Sequence, residues 1–199
     1  MVRFSFVPGE PGRYVASTTM KHSSDHLRST LIPQAQRLHG RELTGVRYWA
    51  LEGEATQESI SAAGFYFGGE IELVLDGQPS AFVSWFQGAG WAPDSYFTLY
   101  LGESSAFMPN ASLERFDATT TTFWSNLIGS RIDSVAIIGV NAAPSILALT
   151  TQNGVAYCGS SYMTEFGDGD DVLATSSLTG SHGTATLATM WQSTAENAT

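Results

Sequence analysis

His22 and His26 stand four residues apart with Asp25 between them, the most metal-like grouping in the chain. At that spacing two imidazoles share one helix face, and imidazole nitrogen is a common zinc ligand. A complete site needs a third or fourth ligand. His39 and His182 are of the right type, but no spacing brings them near, and Lys21 adds an opposing charge. A polar helix start with solvated histidines is the plainer reading, so neither a metal nor a cofactor is expected.

Glu165, Asp168, Asp170 and Asp171 form the densest acidic cluster, in EFGDGDD. Carboxylates crowded on a glycine loop can hold calcium or meet a cationic partner. The calcium-loop pattern fails: its glycine is misplaced, and the twelfth position from Asp168 is Thr179 where that pattern needs Glu. A second group, Trp85, Phe86, Trp91 and Tyr96, surrounds the glycine loop QGAG, with Asp94 close by. Aromatic rings beside such a loop stack on sugars or anchor interfaces, although most rings in a β-rich domain fill the core. The expected partner-binding set is therefore Glu165, Asp168, Asp170, Asp171, Trp91 and Asp94.

Nucleophile patterns are poor. No G-x-S-x-G elbow occurs, and Ser181 beside His182 is adjacency, not triad geometry. Cys158 ends a predicted strand, where a buried, inert thiol is expected. Glu70 and Glu72 point the same way from one predicted strand. Paired carboxylates serve glycoside hydrolysis, but exposed alternation explains these two more simply.

The elements that must position these residues are mostly strands. In Glu70 to Asp76, Ile71, Leu73 and Leu75 alternate with Glu70, Glu72 and Val74, the pattern of a half-buried antiparallel strand. Asp76-Gly77 is a strong turn signal, and Ala81 to Phe86 runs out as a second strand. Further strands are predicted near Val2 to Phe6, Leu43 to Leu51, Tyr96 to Leu101, Arg131 to Val140, Ser145 to Thr150, Val155 to Cys158 and Val172 to Ala174. Gly68-Gly69 and Asn153-Gly154 read as hairpin turns. Residues 52–61 read as loop and 102–118 as irregular. The best helix lies over 23–39, where Leu27, Leu31, Ala35 and Leu38 share a face; Pro33 requires the helix to start there or to bend there. A short helix is predicted over Thr119 to Ile128, and a last helical turn at Leu187, Met190 and Trp191.

This pattern predicts a mainly β, β-rich α+β fold. An antiparallel sheet or sandwich carries one N-terminal helix and one or two short ones. The 199 residues fit one domain, with 1–20 and 185–199 loosely attached. The βα alternation and glycine fingerprints of dinucleotide and phosphate-loop proteins are missing.

Net charge is −10 and uneven. Seven of the nine basic residues, but only three of the nineteen acids, lie in 1–47, leaving that segment +4 and the rest −14. Such a body repels nucleic acid and anionic membrane and attracts cationic partners. One cysteine excludes an intramolecular disulfide. No leader or membrane-spanning run is visible, so a cytoplasmic location is expected.

The first functional expectation is a non-enzymatic intracellular binding protein whose acidic surface docks on a basic protein. A bacterial immunity protein neutralising a toxin is one such case. The alternatives are a carbohydrate- or small-ligand-binding β-sandwich, and a hydrolase with a site of dispersed carboxylates and histidine.

Overall fold

The computed structural model describes residues 3–6, 14–17, 26–61, 66–87, 97–108, 111–140, 143–160, 171–178 and 187–193. In chain order the strands are β1 (Arg3–Phe6), β2 (Tyr14–Ser17), β3 (Leu43–Leu51), β4 (Tyr66–Phe67), β5 (Gly69–Leu75), β6 (Ala81–Gln87), β7 (Phe97–Gly102), β8 (Leu113–Asp117), β9 (Ile132–Val140), β10 (Ala143–Thr151), β11 (Gly154–Ser160), β12 (Val172–Thr175) and β13 (Leu187–Gln192). The helices are α1 (Ile32–Leu38), preceded by a π-helical turn Leu27–Leu31, and the single turn α2 (Thr122–Ser125).

The fold is mainly β, as the alternating pattern predicts. Two antiparallel sheets carry the core, in strand orders β13-β9-β10-β11-β12-β4 and β7-β6-β5-β3-β8, and β1 and β2 form a separate hairpin. Strands β10, β11 and β12 of the first sheet lie against β7, β6 and β5 of the second. The shared interior takes Val46, Ile71, Val83 and Leu99 from one sheet and Ile137, Leu147, Leu149 and Ala156 from the other, all buried. This is a two-layer arrangement in which alternate side chains of both inner faces make one core.

The N-terminal helix forms on the face that its spacing marks. Leu27, Leu31, Ala35 and Leu38 are all buried. Pro33 is accommodated in two ways at once. It falls in the first turn of α1, where its missing N–H needs no partner. The turn before it is wide: the Ile32 N–H bonds to the Leu27 carbonyl, five residues back.

Several expectations are corrected. Gly68-Gly69 is not a hairpin turn, because β4 pairs with β12 in one sheet while β5 pairs with β3 in the other. The two glycines are the corner where the chain changes sheets. Gly69 has φ 151°, and a Cβ there would collide with the Trp49 carbonyl. Residues 113–117, expected to be irregular, form β8 on the edge beside β3. Their sequence LERFD has no apolar alternation to announce a strand, but charge is how an exposed edge is guarded. The segment around Leu187, Met190 and Trp191 is strand β13, paired with β9, where a helical turn was expected. A further correction is the burial of Glu70 and Glu72, described below.

Among the described residues, no helix is long and apolar enough to cross a membrane.

Candidate functional site

A cleft of about 380 Å³ opens at one end of the sandwich. Three segments meet there: α2 with its flanks, the β10–β11 turn, and the end of β12, closed from beside by the short helix Ser59–Ser61. Each is held by its own local chemistry. Asp117 Oδ1 accepts the Thr119 N–H at 2.9 Å, and Thr121 Oγ1 donates to the Ala118 carbonyl at 2.8 Å, which turns the chain into α2. The Thr119 hydroxyl and amide hold the Asp117 carboxyl below the usual carboxylate range. Trp124, fully buried, donates its indole N–H to the Tyr48 hydroxyl at 2.7 Å and so pins α2 to the inner face of β3. Burial pushes the Tyr48 phenol upward, so it stays protonated and accepts that bond as a neutral hydroxyl. On the opposite wall, the Asn153 side-chain amide donates to Ser130 Oγ at 2.7 Å, which fixes the hairpin tip.

These bonds leave a particular lining. Phe123 lies half-buried at the wall, edge-on to Trp124 with ring centroids 4.8 Å apart. Around it stand the hydroxyls of Thr122, Ser176 and Ser61 and the amides of Asn126 and Asn153. Among the described lining residues none is an acid, a base or a thiol. Such a wall offers neutral donors and acceptors beside an aromatic ring. It suits a small neutral polar molecule.

The paired carboxylates lie elsewhere. Glu70 and Glu72 do share one face of β5, but both are buried, at 0% and 5% exposure, so exposed alternation is wrong. The reason is what covers them. Glu72 accepts from Arg47 at 3.0 Å, from the Trp49 indole at 2.8 Å and from Ser80 at 2.7 Å. Segment 103–108 folds back over Glu70, whose Oε2 accepts the Ala106 N–H at 2.8 Å. Burial raises the Glu70 pKa. Hydrogen bonds from Ser105 and from the Ala106 amide oppose the rise, and the neighbouring charge of Glu72 adds to it. Oε1 of Glu70 has no partner among the described residues. Enclosed in this way, the pair offers no opening for a glycosidic bond.

His26 is not solvated either. It is 8% exposed, with Nε2 3.4 Å from the Leu99 carbonyl, and burial lowers its pKa against the opposing effect of that carbonyl. His22, Asp25 and His182 lie outside the described residues, as do Glu165, Asp168, Asp170, Trp91 and Asp94. Of the expected partner-binding set only Asp171 is described, half-buried at the start of β12. Cys158 is fully buried on the inner face of β11, its thiol pushed up to about 12 by burial, which matches the inert reading.

The cleft residues were missed because each looks like ordinary turn chemistry. The sequence predicts a helix over Thr119 to Ile128 and a turn at Asn153-Gly154, but 24 residues lie between them, and no local pattern says that they meet. Comparisons with protein-family models, curated proteins and solved structures find no match for this chain.

Proposed function

We propose that this chain is a β-sandwich binding protein whose ligand is a small neutral polyhydroxylated molecule, a sugar by class. The observation that supports the reading is the lining of the cleft: side-chain hydroxyls and amides around the Phe123 ring, without acid or base among the described wall residues. A volume of about 380 Å³ suits one small ligand. Trp124 supplies the reporter, because its indole bonds to Tyr48, which lines the cleft. A glycan array followed by tryptophan-fluorescence titration tests the reading. Saturable quenching by an array hit, weakened at least about fivefold by Asn126→Ala, is expected, since a lost hydrogen bond to a polar ligand costs about 1–3 kcal/mol. An array without hits and a flat titration would sink it.

A second reading, the docking of a cationic protein on an acidic surface, draws on a different observation. Exposed Glu52, Glu54 and Glu58 follow β3, and exposed Glu114 and Asp117 lie beside them on edge strand β8. The Gly53 N–H to Glu114 and Gln57 to Asp117 hydrogen bonds hold the loop and the edge together. This reading predicts that the chain binds oligolysine in a salt-sensitive manner, and that reversing these charges, or those of Asp168, Asp170 and Asp171, slows association.

A further inference from the structure

The chain is strongly acidic, yet one basin on its surface is cationic. It has a volume of about 570 Å³ and is lined by His39, Gly40, Arg41, Arg131, Ile132 and Asp133. Its floor is clasped by main-chain bonds: Gly40 N–H to the Ile132 carbonyl at 2.8 Å, and Ile132 N–H to the Arg41 carbonyl at 2.8 Å. Gly40 sits at φ 76°, the left-handed turn that ends α1 and brings the two segments together. The Arg131 Nε–H donates to the Gly40 carbonyl at 2.7 Å, so this guanidinium is fixed in place before any ligand arrives. Its terminal nitrogens have no partner among the described residues, and the Arg41 side chain has none either. By contrast Arg37, one turn earlier, is already paired with Glu103, and Arg47 with Glu72.

From this geometry we infer an anion-binding site for a phosphoryl group, held between the Arg41 and Arg131 guanidinia with the His39 ring at its side. Planar guanidinium forks match the oxygens of a phosphoryl group in bidentate fashion, and one fork here is held rigid, which lowers the cost of ordering it. Asp133 is the one acid among the lining residues, and it limits affinity. The site is separate from the neutral cleft and shares no lining residue with it.

The test is a titration of the full chain with inorganic phosphate, pyrophosphate and, as a singly charged control, acetate, followed residue by residue by amide NMR. Saturable shifts confined to Gly40, Arg41, Ile132 and their neighbours are expected, larger for pyrophosphate than for acetate. Arg41→Gln, at a side chain that makes no bond among the described residues, should weaken pyrophosphate at least fivefold, and Asp133→Asn should tighten it. Non-saturating shifts scattered over all basic residues, or an Arg41→Gln variant that binds unchanged, would overturn the inference. Separating glycerol phosphate from inorganic phosphate in the same titration tells an ester ligand from a free anion.

Discussion

Glu70 shows how a single side chain can be misread from alternation and then become informative. A carboxylate at 0% exposure, with one oxygen unpartnered among the described residues, holds its proton to higher pH in the native state than in the unfolded chain. Linkage then gives the sign. Its contribution is most favourable below the unfolded pKa and declines as pH rises through the window up to the raised native pKa. Glu70→Gln removes this titration. Urea unfolding of native protein and variant over a pH series should therefore show the native protein losing stability relative to the variant as acidic solution is brought to neutrality. Parallel pH profiles would mean that Glu70 is not desolvated as described. Glu72 is the instructive contrast, since burial there comes with three hydrogen-bond donors.

At the scale of elements, the corner at Gly68-Gly69 governs the topology. It lets β4 close one sheet and β5 enter the other within three residues. Gly69 needs both its φ of 151° and the space that a Cβ would take from the Trp49 carbonyl. Gly69→Ala should therefore cost ~3 kcal/mol or more, strain and collision combined. Gly53 provides the control. Its φ is 82°, but no atom lies within 4 Å of an added Cβ, so Gly53→Ala carries only the backbone cost of about 1–2 kcal/mol. Chemical denaturation of the two variants side by side separates strain from close approach. Equal losses would mean that the two backbones do not meet at this corner.

Across the whole molecule, charge is divided by place. Among the described residues, exposed acids gather on the loop after β3 and on edge strand β8, while the guanidinium groups of Arg41 and Arg131 converge at the basin beside α1. Long-range attraction for cationic partners should follow the first, and short-range anion capture the second. Oligolysine association should therefore weaken steeply with salt, because exposed charges are screened beyond roughly 8 Å at physiological ionic strength. The same titration on a variant with Glu52, Glu54 and Glu58 reversed should lose most of that salt dependence. A reversed variant with an unchanged salt slope would place the attraction elsewhere.

Much of the architecture was legible in the chain itself. Period-two runs such as Ile71, Leu73 and Leu75 demanded buried strand faces, and the Leu27, Leu31, Ala35, Leu38 spacing demanded a helix, because an apolar side chain must find an interior whatever its distant neighbours are. Composition likewise determined the net negative charge. What only the tertiary structure decided was everything that depends on meetings across the sequence. Two glycines became a change of sheet instead of a hairpin, LERFD became an edge because β3 had a free side, and two glutamates became interior because segment 103–108 folded over Glu70 while Arg47, Trp49 and Ser80 closed on Glu72. The cleft and the cationic basin belong to the same class. Their residues are unremarkable turn and surface types, and they gain a chemistry only when chain closure sets Phe123 near Asn153, or Arg41 beside Arg131.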